Sequence, residues 1–389
     1  LCYVIGPIPD PNKYPLAGPA SSSFEILRNT PQLECHSSAK SAIFKIRSEL
    51  EFATEHFFRS EHYSKQDMPL ITFSECEGGC QPMQVTLLLT DGKKSSIQSY
   101  RDGNTIDFSH DFFGKKASLT VSAQLELETR LPMGNVWTMT RAVRGEPSQT
   151  TRHLCEFSMV EIEKRFSTSA HDIADISEKY IKYCIQYILD HCMPQLEFLG
   201  SKRCYNKPNH IKTLQKYISE SFIRVTHAQA VEMMIHDCTI GTNTETKKKV
   251  KFKELPRYDS DLASEHEKYL ADVKFKLPVV VTGYPKAIKA FYMPVLQESE
   301  EESHGVEHVD CFDILVPDVG ELVGGSQRIH DYDELIARID ELGLNKRELQ
   351  FYTDLRKYGS VPHGGMGMGL ERLIKLITGA GNAKDCVPF

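Results

Sequence analysis

The stretch VPHGGMGMGLERLIKLI, residues 361–377, places four glycines in the six positions 364–369 and then runs into an amphipathic segment bearing Glu371 and Arg372. A glycine in regular structure costs about 0.5–1 kcal/mol relative to alanine. A segment that concentrates glycines therefore has a use for bare backbone. Glycines ahead of a helix can cradle phosphate, but the strand-turn-helix context of a dinucleotide fold is missing. The other reading is a tightly packed strand against which a flat ring can lie, with Arg372 one turn into the helix and aimed at a phosphate chain. The plainer alternative pairs Arg372 with Glu371 or another helix neighbour.

The rest of the chain offers mixed elements. SAKSAIFKIRSELEFATEHFF spaces Ile43, Ile46, Leu50, Ala53 and Phe57 as one helical stripe, predicting a helix over about 39–59. PLITF and MQVTLLLT read as short strands, and ASLTVSAQLELETRL as a strand end turning into a helix. NVWTMTRAVRG and RHLCEFSMVEIE form an antiparallel hairpin. Residues 170–240 turn helical, and KKKVKFK at 247–253 reads as a solvated loop. KLPVVVTGY, IKAFYMPVL and VDCFDILVP read as strands, followed by helices near 332–342 and 346–357. Without a βαβ rhythm, this order implies an α+β fold on a mainly antiparallel sheet. The Pro-, Gly- and Ser-rich start, IGPIPDPNKYPLAGPASSS, reads as a linker.

A net charge of −7 argues against a general nucleic-acid coat. The 11 cysteines lack zinc-ligand or disulfide spacing and read as reduced intracellular thiols. No apolar run reaches the roughly 18–20 residues of a bilayer crossing.

Two further constellations could carry chemistry. In RGEPSQTTRHLCEF, Arg144 and Glu146 share a face of extended chain, so a guanidinium and a carboxylate could meet one ligand, with Phe157 as a stacking face. An exposed hairpin with cross-strand ion pairs fits the same residues. In FDILVPDVGELVGGSQR, Asp313 and Glu321 could approach a hard cation such as Mg2+. Gly324 and Gly325 would admit close backbone approach there, and Arg328 offers a fork for a carbonyl or carboxylate. A bulged strand with a turn is the plainer account.

Taken in order, MPLITFSECEGG, VRGEPSQTTRHLCEF and GGMGMGLERL resemble the three signature motifs of class II aminoacyl-tRNA synthetases. FFGKKASLTVSAQLELET, DLASEHEKYL, VVVTGYPKAIKAFYMPV, VGELVGGSQR and DLRKYGSVPHGG resemble the aspartyl/asparaginyl subgroup, and its asparaginyl members in particular. The likeness runs from about residue 24 to 389. It implies a class II catalytic domain over 24–389, its antiparallel sheet flanked by helices, with a helical insertion at about 168–272. Residues 1–23 would be a linker and the last trace of an N-terminal anticodon-binding OB-fold barrel.

The resemblance also implies roles. Arg144 would hold the α-phosphate of ATP and Arg372 the γ-phosphate, with Phe157 beneath the adenine and Arg372 above it. Glu146 would read the adenine amine and His153 lie near the β- and γ-phosphates, with Arg152, Leu154 and Gly369 also in the ATP site. Asp313 and Glu321 would bind Mg2+. Glu77, Ser122, Gln124 and Glu161 would form the α-amino wall, while Glu156 and Arg328 take the side-chain amide. Aspartyl enzymes carry a lysine where this chain has Leu127, and an aspartate carboxylate buried without it would lack a cation.

L-asparagine, tRNA(Asn), a homodimer built on the Pro69 segment, no membrane and a cytoplasmic setting complete the implied picture. A related asparagine synthetase, an aspartyl enzyme and a silent synthetase-like binding module are the rival readings. The hairpin departs from the family pattern at Gly145 and Pro147.

Overall fold

The computed structural model describes residues 6–16, 23–73, 82–88, 106–145, 150–201, 204–205, 207–242, 249–297 and 304–388. In chain order its strands are β1 (Ser64–Lys65), β2 (Ile71–Thr72), β3 (Gln84–Val85), β4 (Ala117–Leu119), β5 (Val136–Val143), β6 (Glu156–Arg165), β7 (Ile223–Thr226), β8 (Val279–Pro285), β9 (His308–Val316), β10 (Gly320–Gln327) and β11 (His363–Gly369). Strands β2, β4 and β3 make a small sheet of their own. The other eight form one sheet in the order β1-β5-β6-β11-β10-β9-β8-β7. Pairing is antiparallel from β5 through β8, and β1 and β7 add parallel edges. The fold is α+β on a largely antiparallel sheet.

Helices Ser38–Ser60, Ala170–His191 and Leu370–Thr378 bury one face of this sheet. The stripe Ile43, Ile46, Leu50, Ala53 and Phe57 is buried as its spacing predicts. Ile43, Ile46, Leu50 and Phe57 share one apolar cluster with Val160 and Ile162 of β6, Phe312 and Ile314 of β9, and Met366 and Met368 of β11. Because side chains alternate along a strand, residues 365, 367 and 369 face the other way, and all three are glycine.

Two expectations change. IKAFYMPVL does not form a strand: Lys286–Ile288 is a 3-10 turn, and only Val295 bridges to the sheet, at Val309. Proline has no amide donor for a ladder, and Pro285 and Pro294 bracket this segment. MQVTLLLT pairs only through Gln84–Val85, with residues 89 and 90 outside the described set. The segment expected as a helical insertion, about 168–272, is joined to the rest of the fold. Its first helix packs in the main core and it supplies β7 to the sheet.

Close packing at β11 has a measurable consequence. A Cβ on Gly365 would run into the Ile162 carbonyl oxygen and the Glu163 carboxylate, whereas one on Gly381 would meet nothing within 4 Å. Gly365→Ala is expected to lower unfolding free energy by about 1–3 kcal/mol, and Gly381→Ala to leave it unchanged, in denaturant titrations of both variants.

Candidate active site

The glycine face of the sheet floors a cleft of about 310 Å³. Arg144 reaches it from the end of β5: its amide donates to the Cys155 carbonyl at 2.8 Å and its Nε to the Val121 carbonyl at 3.2 Å. Its guanidinium carbon stands 5.4 Å from the Phe157 ring centroid. Register explains why Arg144, and not Arg141, lines the cleft. Ala142 lies opposite Phe157, whereas Arg141 lies opposite Ser158 on the helix-covered face.

Arg372 enters from the far side. Every other residue of helix Leu370–Thr378 is buried. The Glu371 carboxylate is already engaged, accepting from Arg47 Nη1 at 2.8 Å and from the Ser158 amide at 3.0 Å. Arg372 does not pair with it; Nη1 instead donates to the Glu321 carbonyl at 2.7 Å and its carboxylate at 3.3 Å. Gly369 also lines the cleft, and a Cβ there would sit 3.8 Å from both Phe157 Cδ2 and Arg372 Cγ. Bare backbone is thus flanked by the Phe157 ring, beside which Arg144 stands, and by Arg372.

Arg152, His153 and Leu154 line the same cleft. Arg152 is tied down by Glu267 at 2.7 Å and the Val319 carbonyl at 3.1 Å, and it also donates to Ser264 Oγ. Glu146 lies outside the described residues, as does Glu77.

Asp313 and Glu321 converge over Gly324. A Cβ there would lie 3.3 Å from Asp313 Oδ1 and 3.4 Å from Glu321 Oε1. Burial lifts the Asp313 carboxyl to about 6, against the pull of Lys289 and with a smaller push from Glu321. Burial acts on Glu321 in the same sense, but Arg372, Lys289 and Arg144 outweigh it and hold that carboxyl below its usual value. Two converging carboxylates beside a phosphate-sized space are hard oxygen donors of the kind Mg2+ takes, so the donor set fits that ion. Lys289, whose Nζ is 2.9 Å from Asp313 Oδ2, is a cleft residue that sequence reasoning missed. Its signal was a lone lysine inside the apolar run AIKAFYM.

At the other end of the cleft the Ser122 hydroxyl donates to Glu161, which also accepts from the Ala123 amide at 3.1 Å. Gln124 Nε2 donates to the Ile162 carbonyl at 3.0 Å. Arg328 lines the cleft with its guanidinium 4.7 Å from the Tyr292 ring centroid, and Glu163 accepts from its Nη2 at 2.9 Å. Glu156, expected here, is elsewhere. It is an even-numbered residue of β6, on the same face as Ser158, its side chain is 60% exposed, and its nearest cation is Arg141 at 3.8 Å. The carboxylate behind Arg328 is Glu163, two residues beyond Glu161 and therefore on its face; the spacing EIE carried that signal.

The chain belongs to the class II tRNA synthetases: the family described as tRNA synthetases class II (D, K and N) matches residues 24–389. Within that family its similarity is to asparagine-tRNA ligases. It is 39% identical to the asparagine-tRNA ligase of Porphyromonas gingivalis over 382 residues, 98% of this chain and 76% of the relative. It is 38% identical to that of Yersinia enterocolitica over 387 residues, 99% of this chain and 77% of the relative. Among solved structures, asparaginyl-tRNA synthetase from Pyrococcus horikoshii complexed with asparaginyl-adenylate superposes with a TM-score of 0.75 at 29% identity, covering 97% of this chain and 74% of that one.

The acid pair yields a titration test. Asp313 is expected to titrate near 6 in the free protein and higher in Lys289→Met, because the lysine opposes protonation. Carboxyl carbon NMR of the two proteins reads this directly; an unchanged or lower midpoint in the variant would refute the assignment.

Proposed function

We propose that the protein is an asparagine-tRNA ligase: it activates L-asparagine with ATP to asparaginyl-adenylate and pyrophosphate, then passes the asparaginyl group to tRNA(Asn). One observation carries the reading. Arg144 and Arg372, 228 positions apart by subtraction of their numbers, line one cleft, with the Phe157 ring and Arg372 flanking bare backbone at Gly369. Adenine fits between Phe157 and Arg372. Arg144 then meets the α-phosphate, while Arg372, His153 and Arg152 lie toward the β- and γ-phosphates.

No side chain acts as nucleophile. A carboxylate oxygen of asparagine attacks the α-phosphorus, the bond to the bridging oxygen breaks, and pyrophosphate leaves with the electron pair. The protein positions the reactants and stabilises charge on the transferring phosphoryl group. Asp313 and Glu321 would hold Mg2+, which supplies charge neutralisation at the phosphate oxygens when bound. Ser122, Gln124 and Glu161 face the α-amino group, and Arg328 donates to the amide oxygen. Leu127 is buried among Met68, Ala123 and Val136 and offers no cation to an aspartate.

A homodimer fits the helix Ser38–Ser60 and the segment after Pro69, where Phe52, Leu70 and Phe73 are exposed. Such apolar exposure marks association surfaces. Among the described residues no helix is long and apolar enough to cross a membrane, and the cytoplasm is the setting this activity fits.

Pyrophosphate exchange run separately with asparagine and aspartate tests the reading. Exchange should depend on asparagine, and Arg144→Ala or Arg372→Ala should reduce it by roughly a hundredfold or more. Gly369→Val should raise KM for ATP at least about tenfold, equivalent to about 1.4 kcal/mol, with thermal unfolding unchanged. Glu156→Gln, on the far face, should shift neither KM by more than about twofold. Aspartate-dependent exchange, or none in the wild type, would refute the assignment.

A further inference from the structure

Behind Arg328 lies a second layer of charge that the cleft does not reach. Glu128 ends the short helix Gln124–Glu128 and is buried. Its Oε1 accepts from the Tyr352 hydroxyl at 2.7 Å, and its Oε2 accepts from Arg356 Nη2 at 2.7 Å and stands 2.9 Å from His363 Nε2. Arg328 Nε is 3.8 Å from Glu128 Oε1. Glu163 Oε1 accepts from Arg328 Nε and Nη2 at 3.1 and 2.9 Å. The one guanidinium facing the amide end of the cleft is thus within 4 Å of two buried carboxylates.

Glu128, Glu163 and His363 also bring ligand atoms within 4.8 Å of one another. A metal there is disfavoured by what surrounds them. Both oxygens of Glu128 and Oε1 of Glu163 already accept from Tyr352, Arg356 and Arg328, Glu163 Oε2 has no hydrogen-bond partner, and a further cation would be repelled by the two buried guanidinium groups.

Counting formal charges, Arg328 and Arg356 stand against Glu128 and Glu163, with His363 beside Glu128. Burial pushes the Glu163 carboxyl up; it acts on Glu128 in the same sense but is outweighed there by Arg356, His363 and Arg328, so Glu128 is the firmer of the two counter-charges. We infer that Glu128 is a specificity-determining positioning residue: with Glu163 it neutralises the two arginines, so that Arg328 presents hydrogen-bond donors to the substrate without net positive charge behind them. A neutral amide is then recognised through geometry, whereas a carboxylate gains no compensation for its desolvation. Discrimination is a difference between two affinities, and here it would rest on a residue that never touches the substrate. This inference rests on the asparagine-activating reading above.

Glu163 alone does not account for the balance. It faces Arg328 and Gln124 but makes no bond to Arg356, whose carboxylate partner is Glu128. Removing the Glu128 charge leaves two arginines against one carboxylate, which favours an anionic substrate. Removing Arg356 together with it restores neutrality. The pair can therefore be examined as a double-mutant cycle.

The experiment is pyrophosphate exchange with asparagine and with aspartate, on the wild type, Glu128→Gln, Arg356→Gln and Glu128→Gln/Arg356→Gln. The ratio of kcat/KM for asparagine to that for aspartate should fall at least about tenfold in Glu128→Gln, with KM for ATP unchanged. It should recover in the double variant. Equal losses for both amino acids, or a double variant no more selective than the single, would overturn the inference. Should Glu128→Gln fail to fold, Arg356→Gln, which leaves two carboxylates against one arginine, decides instead: a higher ratio of asparagine to aspartate than in the wild type supports the inference, and an unchanged or lower ratio overturns it. A wild type without asparagine-dependent exchange would instead sink the functional assignment itself, so the two failures are distinguishable.

Discussion

A strand in the middle of a sheet with no side chains on one face is the constraint from which the rest of this molecule follows. β11 lies between β6 and β10, with methionines toward the helices and glycines 365, 367 and 369 toward the cleft. The methionines anchor it in the core, and the glycines leave backbone exposed as a floor. Side chains there would fill the slot between Phe157 and Arg372, and at Gly365 one would collide with β6 itself. The loss of helix or strand propensity is offset by packing on the opposite face, where a buried aliphatic side chain contributes roughly 1.5–3 kcal/mol.

Around that floor the cleft's charges are held in advance. Arg372 leans on Glu321, Arg152 on Glu267 and Arg328 on Glu163. Glu371, bonded to Arg47, fixes the first turn of the last helix and so turns its neighbour Arg372 inward. Preorganised charges of this kind stabilise a transition state without reorganising during the reaction. Each guanidinium also has a partner to return to when the substrate leaves, so none stands buried and uncompensated.

Much of this was legible in the chain. Helical spacing marked Ser38–Ser60, and the alternation around Arg144 and Phe157 marked the β5–β6 hairpin. The glycines announced bare backbone. The assignment of Glu156 to Arg328 took the wrong face of β6, although the spacing EIE pointed to Glu163. Glu156 and Glu163 differ in the parity of their position on β6, and the strand's register decides between them. Lys289 was hidden because its segment reads as a strand, whereas it leaves the sheet after β8 through a 3-10 turn and returns to it only at Val295. The Glu128, Arg356 and His363 layer joins segments more than two hundred residues apart, a proximity that no local pattern carries.

The most direct measurement is a crystal structure with a non-hydrolysable asparaginyl-adenylate analogue. The purine should stack between Phe157 and Arg372 above Gly369, with the amide oxygen within hydrogen-bond distance of Arg328. A ligand seated outside that slot, or one whose amide turns away from Arg328, would contradict the account.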